Sequence, residues 1–142
     1  MLRSGLVFAG ANRITKREAT PAGMDDGILT AYEAMGLNLE GTELVVLSAC
    51  ETGLGQTKAG EGVFGLRRAL QVAGAQSVMM TMWKVQDVET QKLMKLFYVK
   101  WLRGEEKHQA LREAQLDLRE QIEKETGHDS PQKWGAFVLV GP

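Results

Sequence analysis

Two short runs of apolar residues flank a segment of helical periodicity in the middle of this chain. The runs cover residues 43–50 and 77–83, and their unbroken apolar centres are typical of strands covered on both faces of a sheet. Between them, residues 61–73 carry apolar side chains at helical spacing, and Gly74 is placed to end that helix. This strand–helix–strand order predicts one right-handed crossover unit.

The remainder of the chain after the second strand is predominantly helical. Apolar spacing predicts a long helix from Asp87 to near Gly104 and a further helix over residues 107–125. Residues 134–141 have the pattern of a last short strand. The element order predicts an α/β sandwich with a mostly parallel sheet, in one domain over residues 1–142.

The first part of the chain has weaker patterns. Residues 1–10 contain a short apolar run, which predicts a strand or an extended segment. Residues 11–27 are rich in Asn, Asp, Gly and Pro and predict a surface loop. Residues 28–36 predict a short helix that ends near Gly36.

Composition narrows the possible functions of the chain. Among its 142 residues, 17 Lys and Arg stand against 18 Asp and Glu, so a net charge of -1 argues against binding nucleic acid through bulk positive charge. No apolar stretch approaches the roughly 18 residues of a membrane span, and the opening run is too short for a signal peptide. A single cysteine forms no internal disulfide, and no Cys/His cluster has zinc spacing. We therefore expect a cytoplasmic protein that binds neither nucleic acid nor membrane.

Cys50 is the residue best placed for chemistry. It lies where the first apolar strand ends and a glycine-rich loop begins, and ligands of open α/β sheets bind at the carboxyl ends of strands. A thiolate there is a natural nucleophile, because neighbouring backbone N–H groups can stabilise a developing oxyanion. The alternative is a free cysteine that acts as a small buried hydrophobic residue.

The loop after Cys50 offers a competing interpretation. Residues 60–65 match the pattern G-x-G-x-x-G at a helix start, which is the outline of a dinucleotide site. However, the motif begins ten residues after the strand, and Glu61 would place a carboxylate beside a pyrophosphate. Glycines that allow close packing of helix on sheet explain the pattern better.

Asp87 follows the second apolar strand closely and has two possible roles. Aspartate is among the best N-cap residues, so Asp87 is a candidate cap of the long helix. It is equally placed to pair with a basic side chain of a substrate near the strand ends. Both roles are compatible only if one carboxylate oxygen stays free.

The chain has two histidines, and neither has the sequence context of a positioned base. His108 lies among charged residues at a predicted helix start, and His128 lies in a predicted turn beside Asp129. Since a cysteine nucleophile normally needs a base, the catalytic set is incomplete within these residues.

A run of residues around Cys50 is distinctive of one protein family. The run Ser48-Ala49-Cys50-Glu51-Thr52-Gly53 resembles the CHAT family of caspase-like cysteine peptidases related to separase. The resemblance includes a block near residue 135, in which this chain has Gly135 where the family usually has alanine. The resemblance spans essentially the whole chain and continues through Gly60-Glu61-Gly62-Val63-Phe64-Gly65-Leu66, Ala73-Gly74-Ala75, Met82-Trp83-Lys84-Val85, Ala110-Leu111-Arg112-Glu113-Ala114-Gln115 and Trp134-Gly135-Ala136-Phe137-Val138-Leu139.

The resemblance implies a Cys–His dyad on a caspase-like three-layer sandwich, with no metal or organic cofactor. Cys50 would be the nucleophile, and an acid near the place of Asp87 recognises a basic substrate side chain in separase-like relatives. The family's histidine motif precedes the segment that here begins at residue 2, so the chain resembles a C-terminal portion that lacks the N-terminal strands. We accordingly expect an exposed apolar edge or face of the sheet.

The sequence therefore predicts a cysteine endopeptidase domain that acts on a protein or peptide substrate and is inactive as this isolated chain. One alternative is a non-catalytic interaction or regulatory module derived from a peptidase. Another is a nucleotide-binding α/β domain. Expected partners are an upstream helical-repeat region or a chain that completes the sheet.

Overall fold

The computed structural model describes residues 5–9, 11–12, 26–48 and 61–142. Two compact units divide them: residues up to 45 together with 61–76, and residues 46–48 together with 77–142. The strands are β1 (Gly5–Val7), β2 (Ile28–Thr30), β3 (Leu44–Leu47), β4 (Ser77–Thr81) and β5 (Phe137–Val140). The helices are α1 (Ala31–Ala34), α2 (Glu61–Val72), α3 (Asp87–Trp101), α4 (Lys107–Thr126) and α5 (Pro131–Trp134).

The predicted α/β class is confirmed, and β4 is buried along its whole length as expected. The expectation for β3 is corrected, because its four residues are only half-buried and not covered on both faces. In the three-stranded sheet β4 lies between β3 and β5. The sheet is mixed, since β5 runs antiparallel to β4 with Val78 opposite Val140 and Thr81 opposite Phe137.

The helices between β4 and β5 explain that antiparallel direction. Ion pairs join Lys92 to Glu125 at 3.1 Å and Lys100 to Glu113 at 3.2 Å, so α3 and α4 run antiparallel. This helical hairpin returns the chain to the end of the sheet where β4 finished, and β5 then runs back along β4. Lys100 also pairs with Asp117, and the hydrogen bonds that the ammonium donates to Asp117 and Glu113 raise the pKa of Lys100.

The core of the second unit contains the inner faces of these helices. Leu93 and Phe97 of α3 are buried, and the Phe97 ring stacks on Trp101 with centroids 5.7 Å apart. The buried positions of α4 recur every three or four residues, as an amphipathic helix requires. They are Ala110, Leu111, Ala114, Leu118 and Ile122.

The first unit contains a strand that the sequence did not predict. Residues 28–36 were expected to form one helix, but β2 occupies their first three positions and pairs antiparallel with β1, Leu6 lying opposite Leu29. Pairing with a distant segment overrides the local helical pattern here. Residues 13–25 of the expected surface loop lie outside the described residues.

Helix α2 ends as the sequence predicted. The Ala75 N–H donates to the Leu70 carbonyl at 3.1 Å, and the Gly74 N–H donates to the Gln71 carbonyl at 3.1 Å. This pair of bonds is the Schellman arrangement, which needs a left-handed residue after the helix. Gly74 supplies it with a φ of 110°.

Helix α1 begins with a reciprocal cap. The Glu33 N–H donates to the Thr30 hydroxyl, and the Glu33 carboxylate accepts the Thr30 N–H at 2.8 Å. This capping box satisfies two N–H groups at the start of the helix. The bonds from the Thr30 backbone and side chain lower the pKa of Glu33.

We expect Thr30→Ala to raise the pKa of Glu33 toward its ordinary value, because the hydroxyl donor to its carboxylate is lost. NMR titration of the Glu33 side chain measures this change. Since the folded pKa is depressed, the bonds of this carboxylate stabilise the fold above the unfolded pKa, and that contribution is lost as the pH falls through the folded pKa. Thr30→Ser, which retains a hydroxyl, serves as the control. An unchanged Glu33 pKa in Thr30→Ala would contradict the cap.

Candidate functional site

The predicted site lies where the strands β3 and β4 end. Strand β3 ends at Leu47 and is followed by the exposed Ser48. Cys50, the candidate nucleophile, is two residues further along and lies outside the described residues. Its role therefore stays a prediction, and the geometry below concerns the β4 side.

Asp87 is the first residue of α3, and its side chain is exposed. The N-cap position belongs to Gln86, and no side chain makes a capping hydrogen bond there. The expectation that Asp87 caps the helix is thus wrong by one position. Asp87 and Glu89 instead place negative charge in the first turn, where the helix dipole favours it. The Asp87 carboxylate therefore remains accessible for binding a positive group.

Two large apolar side chains precede Asp87 and remain accessible to solvent. The exposed fraction is 46% for Met82 and 41% for Trp83. Both residues are nevertheless held in place: the Met82 N–H donates to the Ala136 carbonyl, and the Trp83 indole donates to the Gln132 carbonyl, each at 2.8 Å.

The short helix α5, which the sequence did not predict, anchors this region. Its Trp134 indole donates to Asp129 at 2.8 Å, and Asp129 also pairs with Arg119 of α4 at 2.9 Å. The Arg119 guanidinium lies 5.6 Å from the centre of the Trp134 ring. Lys133 of α5 reaches Glu89 in the first turn of α3 at 3.5 Å. Pro131, a favoured residue at a helix start, was the available sequence signal.

His108 and Asp87 lie at opposite ends of β4, so His108 cannot act at the same site as Asp87. Its Nε2 donates to the Gly141 carbonyl at 2.7 Å, and Gly141 follows Val140, which pairs with Val78 at the start of β4. Asp87 follows the opposite end of β4. The structure thus separates these two residues along the full length of that strand.

His128 lies in the turn after α4 and is exposed, with its backbone N–H donating to the Thr126 hydroxyl. The neighbouring carboxylate of Asp129 is the natural candidate to orient its ring. However, one Asp129 oxygen accepts from Trp134 and the other pairs with Arg119. Asp129 is therefore engaged in holding α5 against α4.

The glycine motif of residues 60–65 lies partly in the first turns of α2. Gly60 lies outside the described residues, while Gly62 and Gly65 belong to α2. Gly65 lines a cavity of about 290 Å³ together with Ala31 of α1, Met35 just after α1, and Ala69 of α2. No close approach of α2 to the sheet is described at these glycines, so the interpretation as helix-on-sheet packing stays a prediction.

The described parts of the chain contain neither a metal-binding cluster nor a membrane-spanning helix. There, no group of three or more His, Cys, Asp or Glu side chains has a geometry that could hold a metal ion. The helices described here also include none with the length and apolar character needed to cross a membrane.

Comparison with known proteins gives a match over the entire chain. A family model described as "CHAT domain" matches residues 1–142. Tetratricopeptide repeat protein 28 from Mus musculus and its namesake from Homo sapiens are each 33% identical to the chain over 114 residues. The match covers 80% of this chain but 4% of either relative, so it spans a small part of their length.

Proposed function

Because this chain belongs to the CHAT family, a caspase-like lineage derived from peptidases, we propose that it carries the nucleophile and the substrate-recognition acid of a cysteine endopeptidase. Cys50 is the nucleophile in this proposal, and Asp87 binds a basic side chain of a protein or peptide substrate. The three-layer caspase-like sandwich, completed by strands outside this chain, belongs to the same proposal.

One observation carries the assignment of Asp87. Its carboxylate is exposed at the start of α3, directly after the strand β4, and it does not serve as the helix cap. The exposed Met82 and Trp83 lie earlier in the same segment, and in this proposal they contact the apolar part of the bound side chain. Charge-assisted hydrogen bonds are stronger than neutral ones, which suits Asp87 to a guanidinium or ammonium group.

The proposed reaction proceeds through a thioester on Cys50. The thiolate adds to the carbonyl carbon of the peptide bond, the C–N bond breaks, and the amine leaves with a proton from the conjugate acid of the base. Water then adds to the thioester carbonyl and gives a proton to the base, the C–S bond breaks to release the carboxylic acid, and the thiolate takes the proton back from the base. No metal or organic cofactor takes part in these steps.

The catalytic base is the component of the dyad for which this chain has no suitably positioned residue. His108 lies at the opposite end of β4, and the carboxylate beside His128 is engaged with Arg119 and Trp134. We therefore propose that a histidine outside these 142 residues completes the dyad, and that this chain alone has little or no peptidase activity. Robust hydrolysis of peptides by the isolated chain, abolished in Cys50→Ala, would contradict this part of the proposal.

Affinity labelling tests both residues without requiring turnover. A peptidyl chloromethyl ketone with arginine beside the reactive group should alkylate Cys50 faster than the norleucine analogue, by about tenfold or more, because only arginine can form the charged bond to Asp87. Mass spectrometry of proteolytic fragments locates the label and separates alkylation of Cys50, the single cysteine, from alkylation of the two histidines. Asp87→Asn should reduce the preference to near unity.

Glu106→Gln provides the matched control for Asp87→Asn. It also neutralises an exposed carboxylate at a helix start, but at α4 and thus near His108 and Gly141. This variant should retain the full preference for arginine. Equal alkylation rates for the two reagents in the parent chain, or a preference that survives Asp87→Asn, would overturn the role of Asp87.

A non-catalytic interaction module is the second candidate function. The lack of a catalytic base positioned within this chain favours it. In that case the iodoacetamide reactivity of Cys50 should match that of an ordinary thiol, with no preference between the two peptide reagents. Both curated relatives are named as tetratricopeptide repeat proteins, so we propose a helical-repeat region as the neighbour of either kind of domain. A chain with a single cysteine suits a reducing compartment such as the cytoplasm.

A further inference from the structure

The outer edge of β5 is the feature from which we draw a further inference. Because β5 pairs with β4 on one side and is last in the order β3-β4-β5, its other side is an edge within the described chain. The Met82 N–H donates to the Ala136 carbonyl, which sets the alternation along the strand. Residues 136, 138 and 140 therefore direct their backbone groups toward β4, and residues 137, 139 and 141 direct theirs outward.

Two side chains of α4 bind the outward carbonyls at either end of this edge. Gln115 donates from Nε2 to the Phe137 carbonyl at 2.9 Å, and His108 donates from Nε2 to the Gly141 carbonyl at 2.7 Å. Positions 108 and 115 are two helical turns apart, roughly 10.5 Å along the axis. The two carbonyls are four strand residues apart, roughly 13 Å. Helix α4 thus runs beside the edge with a donor at each end and the Leu139 peptide group between them.

The positions of these two nitrogens decide what else can bind there. An added strand would place its own backbone nitrogens roughly 2.9 Å from the outward carbonyl oxygens, in a strip about 4.8 Å wide. The side-chain nitrogens of Gln115 and His108 already lie at that distance from two of these oxygens. A strand cannot pair along β5 unless both side chains move away.

The sequence of β5 makes such protection useful. Phe137-Val138-Leu139-Val140 is uncharged and rich in residues that favour strands, and unprotected edges of this type pair with other chains. A second copy offers the same strand, and twofold symmetry would pair the two antiparallel. We propose that His108 and Gln115 guard the β5 edge and prevent antiparallel β5–β5 pairing between two copies of this chain.

The test is the association state of the double variant His108→Ala/Gln115→Ala, measured by light scattering after size exclusion. We expect its mass to be twice that of the parent chain at equal concentration, because both outward carbonyls become available. Gln121→Ala is the matched control, since it removes an exposed glutamine from the same helix away from β5. This control should keep the parent mass.

A third substitution shows whether the new contact uses β5. Leu139→Pro removes an outward N–H and no bond to β4, so in the double variant it should restore the parent mass. The pair His108→Leu/Gln115→Met keeps side-chain volume but has no hydrogen bond to hold the side chains over the two carbonyls, so both can rotate away and the mass should also double. The proposal is overturned if both donor-free variants are folded by circular dichroism and keep the parent mass. Association that persists with Leu139→Pro would equally overturn it.

Discussion

Leu118→Ala should lower the free energy of unfolding by about 2 to 5 kcal/mol, one of the largest effects expected from a single substitution in this chain. Leu118 has no solvent exposure and lies on the buried face of α4, between Ala114 and Ile122. Alanine removes three carbon atoms from a fully buried site, so the substitution leaves a cavity unless the surrounding side chains collapse into it. Urea unfolding followed by circular dichroism measures the loss as a lower transition midpoint.

Leu116→Ala is the control for this substitution, because it makes the same chemical change two positions away on the same helix. Leu116 is 44% exposed, so truncation there leaves no enclosed cavity. The control should change the free energy of unfolding by less than about 1 kcal/mol. Similar losses at the two positions would show that α4 does not bury the face assigned to it.

The difference in burial between Leu118 and Leu116 was predictable from the sequence, because it follows from the periodicity of apolar residues along α4. The long helices α3 and α4 begin and end within a few residues of the predicted positions, and β4 is buried as its apolar run indicated. In these segments the local pattern and the tertiary packing agree, so the sequence alone is informative.

The features that could not be predicted depend on contacts between distant residues. Strand β2 forms because Ile28–Thr30 meets β1, and β5 is antiparallel because a helical hairpin reverses the chain before it. Neither partner is visible in a local window of sequence.

The candidate site shows the same division between local and distant information. The order of strand and helix was enough to place Asp87 beyond β4, but the cap fell on Gln86, since a helix boundary shifts easily by one residue. The anchoring of the site by α5 depends on Arg119, Asp129 and Trp134, which meet only in the folded unit. Cys50 lies outside the described residues and remains a prediction from the sequence and the family.

Gly74→Ala is the other substitution with a large expected effect, about 2 to 5 kcal/mol, and it acts through the backbone of the first unit. Gly74 has a φ of 110°, a conformation that alanine adopts with strain. A Cβ at this position would also lie 2.8 Å from the Glu40 nitrogen and 3.0 Å from the Leu39 carbonyl carbon. Leu39 cannot retreat freely, because its N–H donates to the Ala73 carbonyl at 2.9 Å.

Gly41→Ala separates the two causes, since Gly41 lies in the same unit and also has a positive φ, 79°. A Cβ there would meet no atom within 4 Å, so only the backbone strain of about 1 to 2 kcal/mol should appear. Urea unfolding measures the loss of unfolding free energy in both variants. The difference between the two losses is the cost of the close contact between residues 39–40 and the end of α2. Equal losses would mean that this approach does not constrain the fold, and that the left-handed conformation alone requires glycine at residue 74.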